Sequence, residues 1–395
     1  MPDNKHNLAT GNVSFWNDPA KRSLLFQAIL FIAVFAVGYI IYQNTQHNLE
    51  SRGITTGFEF LDAEAGFGII QSLIPYDETH SYGRTFVVGL LNTILVSALG
   101  VFFATILGFL IGIARLSHNW LISRIAAVYI EIFRNIPLLL QIFFWYFAVL
   151  RLLPGPRQSL EFSGIAFLNV RGIYLPSPIL SEGFGWVLAA LVIAVIAIVF
   201  IKRWAKKRQN TTGEQFPVFW ASLAILIGLP FIVFLISGAS LQWEIPELKG
   251  FNFRGGLTII PELSALLIAL TIYTAAFIAE IVRSGIESIN KGQTEAAHAL
   301  GINPGKTLQL VIIPQAMRVI IPPLTSQYLN LIKNSSLATA IGYPDLVSVF
   351  AGTTLNQTGQ AIEVISMTMA VYLTLSLLVS LFMNWYNKRM ALVER

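Results

Sequence analysis

Glu131 and Arg134 lie three residues apart in an otherwise apolar stretch, and so do Glu280 and Arg283. On a helix that spacing puts both partners on one face, where they can neutralise each other. A third interruption of apolar sequence is Lys333-Asn334-Ser335-Ser336. Ionisable groups inside lipid cost about 2.5 to 3.5 kcal/mol on insertion scales, so each of these positions is a candidate for function. Pro137 and Pro322-Pro323 fall in the same stretches and would free backbone groups there.

Other chemistry is thin. The chain has no cysteine, which removes disulfides and thiolate-held metals. His6, His47, His80, His118 and His298 are scattered without ligand spacing, so no metal site is expected. No paired carboxylates, His-Glu-x-x-His or Gly-x-Ser-x-Gly pattern occurs, so no catalytic residue is expected. Gly301-Ile-Asn-Pro-Gly305-Lys306-Thr307 comes close to a phosphate-binding loop, but that loop needs one more residue before its Gly-Lys pair. No soluble stretch is long enough to build a nucleotide-binding domain around it. The reading is therefore a non-enzyme with no cofactor.

The elements that must position these residues follow from composition. Hydrophobic residues make up 55% of the 395 and charged residues only 12%, about half the charge of a soluble domain. A helix crosses the hydrocarbon core with about 20 apolar residues. Eight stretches qualify: Leu24–Tyr42, Phe86–Ala114, Ile125–Leu150, Phe184–Ile201, Val218–Ser237, Leu263–Val282, Ile320–Ile341 and Val364–Tyr386. The fold class is all-α, a polytopic transmembrane helical bundle of about eight spans.

Charge orients the bundle. Lys5, Arg115, Arg124, the cluster Lys202 to Arg208, Arg283, Lys291, Lys388 and Arg395 all fall on the side of the termini. The opposite side carries only a few, among them Arg52, Arg84 and Arg171. The positive-inside rule makes the N- and C-termini cytoplasmic. Topology thus accounts for the net charge of +5, and nucleic acid is not an expected partner. The first apolar run is longer than a signal-peptide core and runs on into polar Gln43-Asn44-Thr45-Gln46, so a retained anchor is expected.

Along the chain, residues 1–81 read as an anchor helix and outer loop, and 82–150 as the first part of a core. Residues 151–260 read as an inserted pair of helices whose spans contain no ionisable residue, and 261–395 as the second part of the core. The long inner loop of that last part is rich in helix formers from Thr294 to Leu300, with Thr294 as a candidate N-cap. Gly301 can end that helix. Asn303-Pro304 can start a second short helix, with Leu308, Val311 and Ile312 at helical spacing. Such a helix–break–helix, apolar on one side, suits docking into a groove on a soluble partner.

This loop resembles the cytoplasmic "EAA" loop of ABC importer permeases, matching it at Glu295, Ala296, Ala297, Gly301 and Pro314. Val311 and Ile313 stand where that pattern has Ile and Leu. Further matches are to the polar amino-acid uptake branch of the family: Ala279-Glu280-Ile-Val-Arg283, Pro314-Gln315-Ala316-x-Arg318, Ile321-Pro322-Pro323, Lys333-Asn334-Ser335-Ser336-Leu337 and Phe133-Arg134-Asn135-Ile-Pro137-Leu-Leu-Leu-Gln141. These motifs cover about residues 82–150 and 261–389. The extra first span and inserted pair resemble the longer permease subunit of the general L-amino-acid or glutamate/glutamine/aspartate/asparagine importers.

The resemblance implies a bacterial inner-membrane protein that moves amino acids into the cytoplasm. It implies a second homologous permease subunit, ABC ATPase subunits and a periplasmic amino-acid-binding protein as partners, besides membrane lipid. Glu295, Ala296, Ala297, Gly301 and Pro314 would couple to the ATPase. Arg134, Glu280, Lys333, Asn334, Ser335 and Ser336 would surround a substrate site, since a zwitterion needs a cation or helix N-terminus for its carboxylate and an acid or carbonyls for its ammonium. Asn334 replaces the family's usual acid, which disfavours cationic substrates. A stand-alone secondary transporter or channel for small polar solutes is the other reading, but it has no use for a docking loop.

Overall fold

In the computed structural model the described residues are 19–51, 56–181, 183–238 and 240–390. Lys5, His6, Arg52 and Arg395 lie outside them. The first helix, α1 (Pro19–Ser51), is apolar and exposed along its membrane-length portion. Next comes α2 (Tyr82–Arg115). Its small residues let a partner approach: a Cβ on Gly108 would come within 2.6 Å of Ile278, and one on Gly112 within 2.8 Å of the Ala279 carbonyl. Small residues at helix contacts are how membrane helices pack in the absence of a hydrophobic drive between them.

The next helix, α3 (Trp120–Asn135), starts at Asn119, whose side chain accepts from the Leu121 and Ile122 amides. It stops before Pro137, which can neither donate nor sit inside a helix without a clash. A short α4 (Leu138–Phe143) follows, continued by wider and tighter turns to Leu152. The two pieces meet at 105°. The expected single span Ile125–Leu150 is therefore a broken pair. Gln141 makes the break tenable: its Nε2 donates to the carbonyls of Phe133 and Ile136, both at 3.0 Å.

The segment expected as loops flanking two inserted helices holds strand structure that the sequence did not suggest. Strands β1 (Leu160–Phe162), β2 (Ala166–Asn169), β3 (Gly172–Leu175) and β4 (Ser177–Leu180) precede helices α5 (Phe184–Thr212) and α6 (Val218–Ile236). Strands β5 (Leu241–Glu244), β6 (Glu247–Lys249), β7 (Asn252–Arg254) and β8 (Leu257–Ile259) follow them. All pairings are antiparallel, in the order β1-β2-β3-β8 with separate β4-β5 and β6-β7 ladders. β3 and β8 thus form a stem that returns the chain to the core. In α5 only Ala190, Ala194 and Ala205 are buried, and in α6 no described residue is.

The core's second part is α7 (Pro261–Glu287), α8 (Lys291–Ala299), α9 (Pro304–Thr307), α10 (Ile313–Asn334), α11 (Leu355–Thr358) and α12 (Ala361–Met390). The main hydrophobic cluster gathers residues of α2, α4, α7 and α10, including Val96, Ile142, Leu266, Ile278, Ile321 and Leu331. Among the described residues seven helices are long and apolar enough to cross a membrane, or eight with the broken pair. The seventh stretch starts earlier than expected: Pro304–Ile341 forms one 38-residue unit.

Candidate functional site: coupling loop and charged cavity

The loop that carries the EAA positions begins where α7 ends. Asn290, not Thr294, caps α8: its side chain accepts from the Gly292 amide at 2.8 Å. An earlier cap takes Lys291 to Gln293 into the helix. Gln293 then accepts from Gln315 Nε2 at 3.4 Å, tying α8 to α10. The helix ends at Leu300 and Gly301, and Gly301 has φ +70, a left-handed conformation open to glycine at little cost. The Ile302 amide closes the turn on the Ala297 carbonyl.

Within the five EAA positions, Ala297 is buried while Glu295 and Ala296 face out. Leu300, to which the sequence reading gave no role, is 80% exposed at the helix end. A bare leucine on a charged surface is the signal that could have found it. Asn303 does cap the next turn, accepting from the Lys306 amide at 2.9 Å, with Pro304 in the first position. That turn is not a separate short helix, however. It passes through a π-turn at Leu308–Ile312 into α10, with Pro314 near the start of that helix. The wider turn also breaks the expected apolar face, since Leu308 is 47% exposed while Ile312 is 8%.

Arg134 and Glu280 come together. They line one cavity of about 270 Å³ with Arg115, Ala127, Ile130, Glu131 and Arg283. Glu280 holds Arg283 through two hydrogen bonds, at 2.5 and 3.1 Å, and Arg283 also reaches Glu287. Glu131 and Arg134 form no ion pair, contrary to their spacing: Arg134 lies over the Phe277 ring instead, 5.3 Å from its centroid. The Arg115 guanidinium donates to Ser123 Oγ at 2.9 Å. Three guanidiniums and two carboxylates thus surround a space large enough for a small zwitterion. Arg115 was not among the candidates, and Glu131 and Arg283 were singled out by spacing but not placed in the expected substrate set.

Lys333, Asn334, Ser335 and Ser336 do not line this cavity. Ser335 is buried and donates to the Ile332 carbonyl, and Ser336 donates to that of Lys333. Their tight turn, Ser335–Ile341, leads to a second polar cluster that sequence reasoning missed. Buried Asp345 accepts from the Ser348 amide at 2.8 Å and from the Tyr372 hydroxyl at 3.3 Å. Buried Asn92 donates to the carbonyls of Pro344 and Gln71, and Thr93 accepts from the Leu346 amide. One asparagine in an apolar helix was the available signal.

The chain is thus a lipid-length helical bundle, broken at Pro137, with α8 set beside the 38-residue unit Pro304–Ile341. Residues 211–392 match the family described as binding-protein-dependent transport system inner membrane component. The chain is 57% identical over 391 residues, 99% of each chain, to the amino-acid ABC transporter permease protein YhdX of Escherichia coli (strain K12). It is 52% identical to AapQ of Rhizobium johnstonii, the general L-amino acid transport system permease protein, over 96% of this chain and 94% of that one. It is also 43% identical to BztB of Rhodobacter capsulatus, the glutamate/glutamine/aspartate/asparagine transport system permease protein, over 96% of both chains. The chain belongs to the amino-acid ABC transporter permeases. It is a multi-pass inner-membrane permease subunit that serves amino-acid transport, as the resemblance implied.

Proposed function

We propose that this permease forms one half of a membrane heterodimer with a second homologous permease subunit and has cytoplasmic termini. ABC ATPase subunits drive it from the cytoplasm, and a periplasmic amino-acid-binding protein loads it. The observation that supports this is the build of the inner loop. α8 exposes Glu295, Ala296 and Leu300, while the arm after Gly301 is continuous with a 38-residue helical unit. A push on α8 then reaches that unit across the short Gly301 turn, which the Ile302 amide closes on the Ala297 carbonyl, and moves it as a rigid body. ATP hydrolysis belongs to the partner subunits.

Substrate on its way through meets Arg134, which offers a cation to a carboxylate, and Glu280 with its neighbour Glu131, which offer anions to an ammonium. Lys333, Asn334, Ser335 and Ser336 act one level away, where the seventh helix tightens. With Asn334 uncharged, the path favours neutral, acidic or mixed amino acids over cationic ones. One uptake assay tests both parts, using the purified complex in liposomes. Glu295→Arg or Gly301→Trp should abolish ATP-driven uptake while leaving the membrane fold intact. Full uptake with both changes would point to an autonomous transporter, and uptake of arginine alone would overturn the assignment of substrate class.

A further inference from the structure

The hairpin of α5 and α6 takes no part in the coupling loop or the charged cavity, and its surface has a distinct chemistry. Trp186 and Trp204 are both exposed on α5. They stand 18 residues apart, which is about 27 Å along a helix, close to the roughly 30 Å of a hydrocarbon core. Exposed tryptophans mark the two headgroup levels of a bilayer. Trp204 is steadied by Phe216 across the hairpin, with ring centroids 5.3 Å apart, and Trp220 stands exposed one turn into α6.

At the level of Trp204 lie Lys202, Arg203, Lys206 and Lys207, all exposed. None makes an ion pair among the described residues, whereas neighbouring Arg208 is taken by Glu214 at 2.5 Å and by the Trp204 ring. At about 100° per residue these four cations share an arc of about 140° on α5. Buried Ala205 falls outside that arc, on the side packed against α6. The same arc continues through the membrane as Leu188, Val192, Val195, Ile196 and Val199, all exposed. One helix face therefore presents an apolar column ending in a fourfold cationic head.

We propose that this face of α5 is a binding site for anionic phospholipid, with acyl chains along Leu188 to Val199 and the headgroup held by Lys202, Arg203, Lys206 and Lys207. The long side chains can keep their stems in the apolar layer and direct their charges to the phosphates. An acidic protein surface would match the charges but not the apolar column below them, whereas a phospholipid matches both. Clustered cations just beyond a membrane helix attract anionic lipid roughly in proportion to their number.

The test uses the intact transporter complex in phosphatidylcholine nanodiscs, titrated with phosphatidylglycerol. The chain has no cysteine, so Val199→Cys can carry a fluorophore that brominated phosphatidylglycerol quenches on binding. Changing Lys202, Arg203, Lys206 and Lys207 together to Gln should weaken half-maximal quenching by about fivefold per charge at low salt. The difference should shrink near molar salt, where the Debye length is about 3 Å. Lys202→Arg with Lys206→Arg should retain the binding of the unaltered chain. Equal phosphatidylglycerol affinity with and without the four charges would overturn the proposal. So would loss of a partner subunit from the Gln variant with quenching unchanged, which would give the face to an acidic protein. Should the Gln variant fail to assemble, the labelled permease with its four charges intact decides: equal quenching by brominated phosphatidylcholine and phosphatidylglycerol sinks the idea.

Discussion

Glu280 and Arg283 pair as their spacing implies, and Glu287, on the same helix, holds the guanidinium from its other side. Glu131 and Arg134 have the same spacing, yet the Phe277 ring of α7 takes the guanidinium. Tertiary contacts of that kind leave no local trace. Gln141 is a similar case: it closes a recognised motif, but its role appears only once the chain bends at Pro137. Its Nε2 is the donor for two carbonyls that the break released. Leaving an acceptor unpaired away from water costs about 1 to 3 kcal/mol. Gln141→Leu should therefore lower the permease's resistance to thermal unfolding in detergent by that amount, with Gln141→Met no better. An unchanged unfolding temperature would mean that water or another donor reaches both carbonyls.

At the scale of elements, apolar runs of membrane length were legible throughout, because lipid demands helices that satisfy their own backbone. Their ends were less so. α8 starts at Asn290, since an asparagine cap ahead of Lys291-Gly292-Gln293 outcompetes Thr294 inside the same helix. The eight strands went unread because each has only three or four residues, and the pairings β3-β8 and β4-β5 join segments distant in sequence. The contact of α2 with α7 makes the firmest demand at this level. Gly112 has the Ala279 carbonyl and Val282 within 2.9 Å of where a Cβ would stand. Backbone cannot yield as a side-chain tip can. Gly112→Val should push the two helices apart and distort the cavity between Arg115 and Glu280. Loss of assembled complex on size-exclusion chromatography, or of uptake in liposomes, is the expected result. A fully active Gly112→Val protein would show that the helices separate during the cycle.

For the whole molecule, the expected division into 1–81, 82–150, 151–260 and 261–395 makes the third block an insertion, and its return stem allows a direct trial. β3 and β8 pair antiparallel with Leu175 opposite Leu257, Tyr174 opposite Thr258 and Ile173 opposite Ile259. Facing residues at the end of such a ladder can be joined by a two-residue Asn-Gly turn, which suits the twist of the strands. Replacing residues 176–256 with Asn-Gly should therefore leave the core able to fold. Tyr174 would lose its hydrogen bond to Asn252 and its contact with the Phe253 ring, a local cost at the stem. The loop proposed to couple to the ATPase, the cavity at Arg134 and Glu280 and the Asp345 cluster all lie outside the removed segment. The shortened permease should keep ATP-driven uptake in phosphatidylcholine liposomes while losing the phosphatidylglycerol retention assigned to α5. If it inserts and binds its ATPase but no longer joins a second permease subunit, the hairpin is part of the heterodimer interface. The apolar face of α6 would then be covered by protein, and the block would be a built-in partner selector.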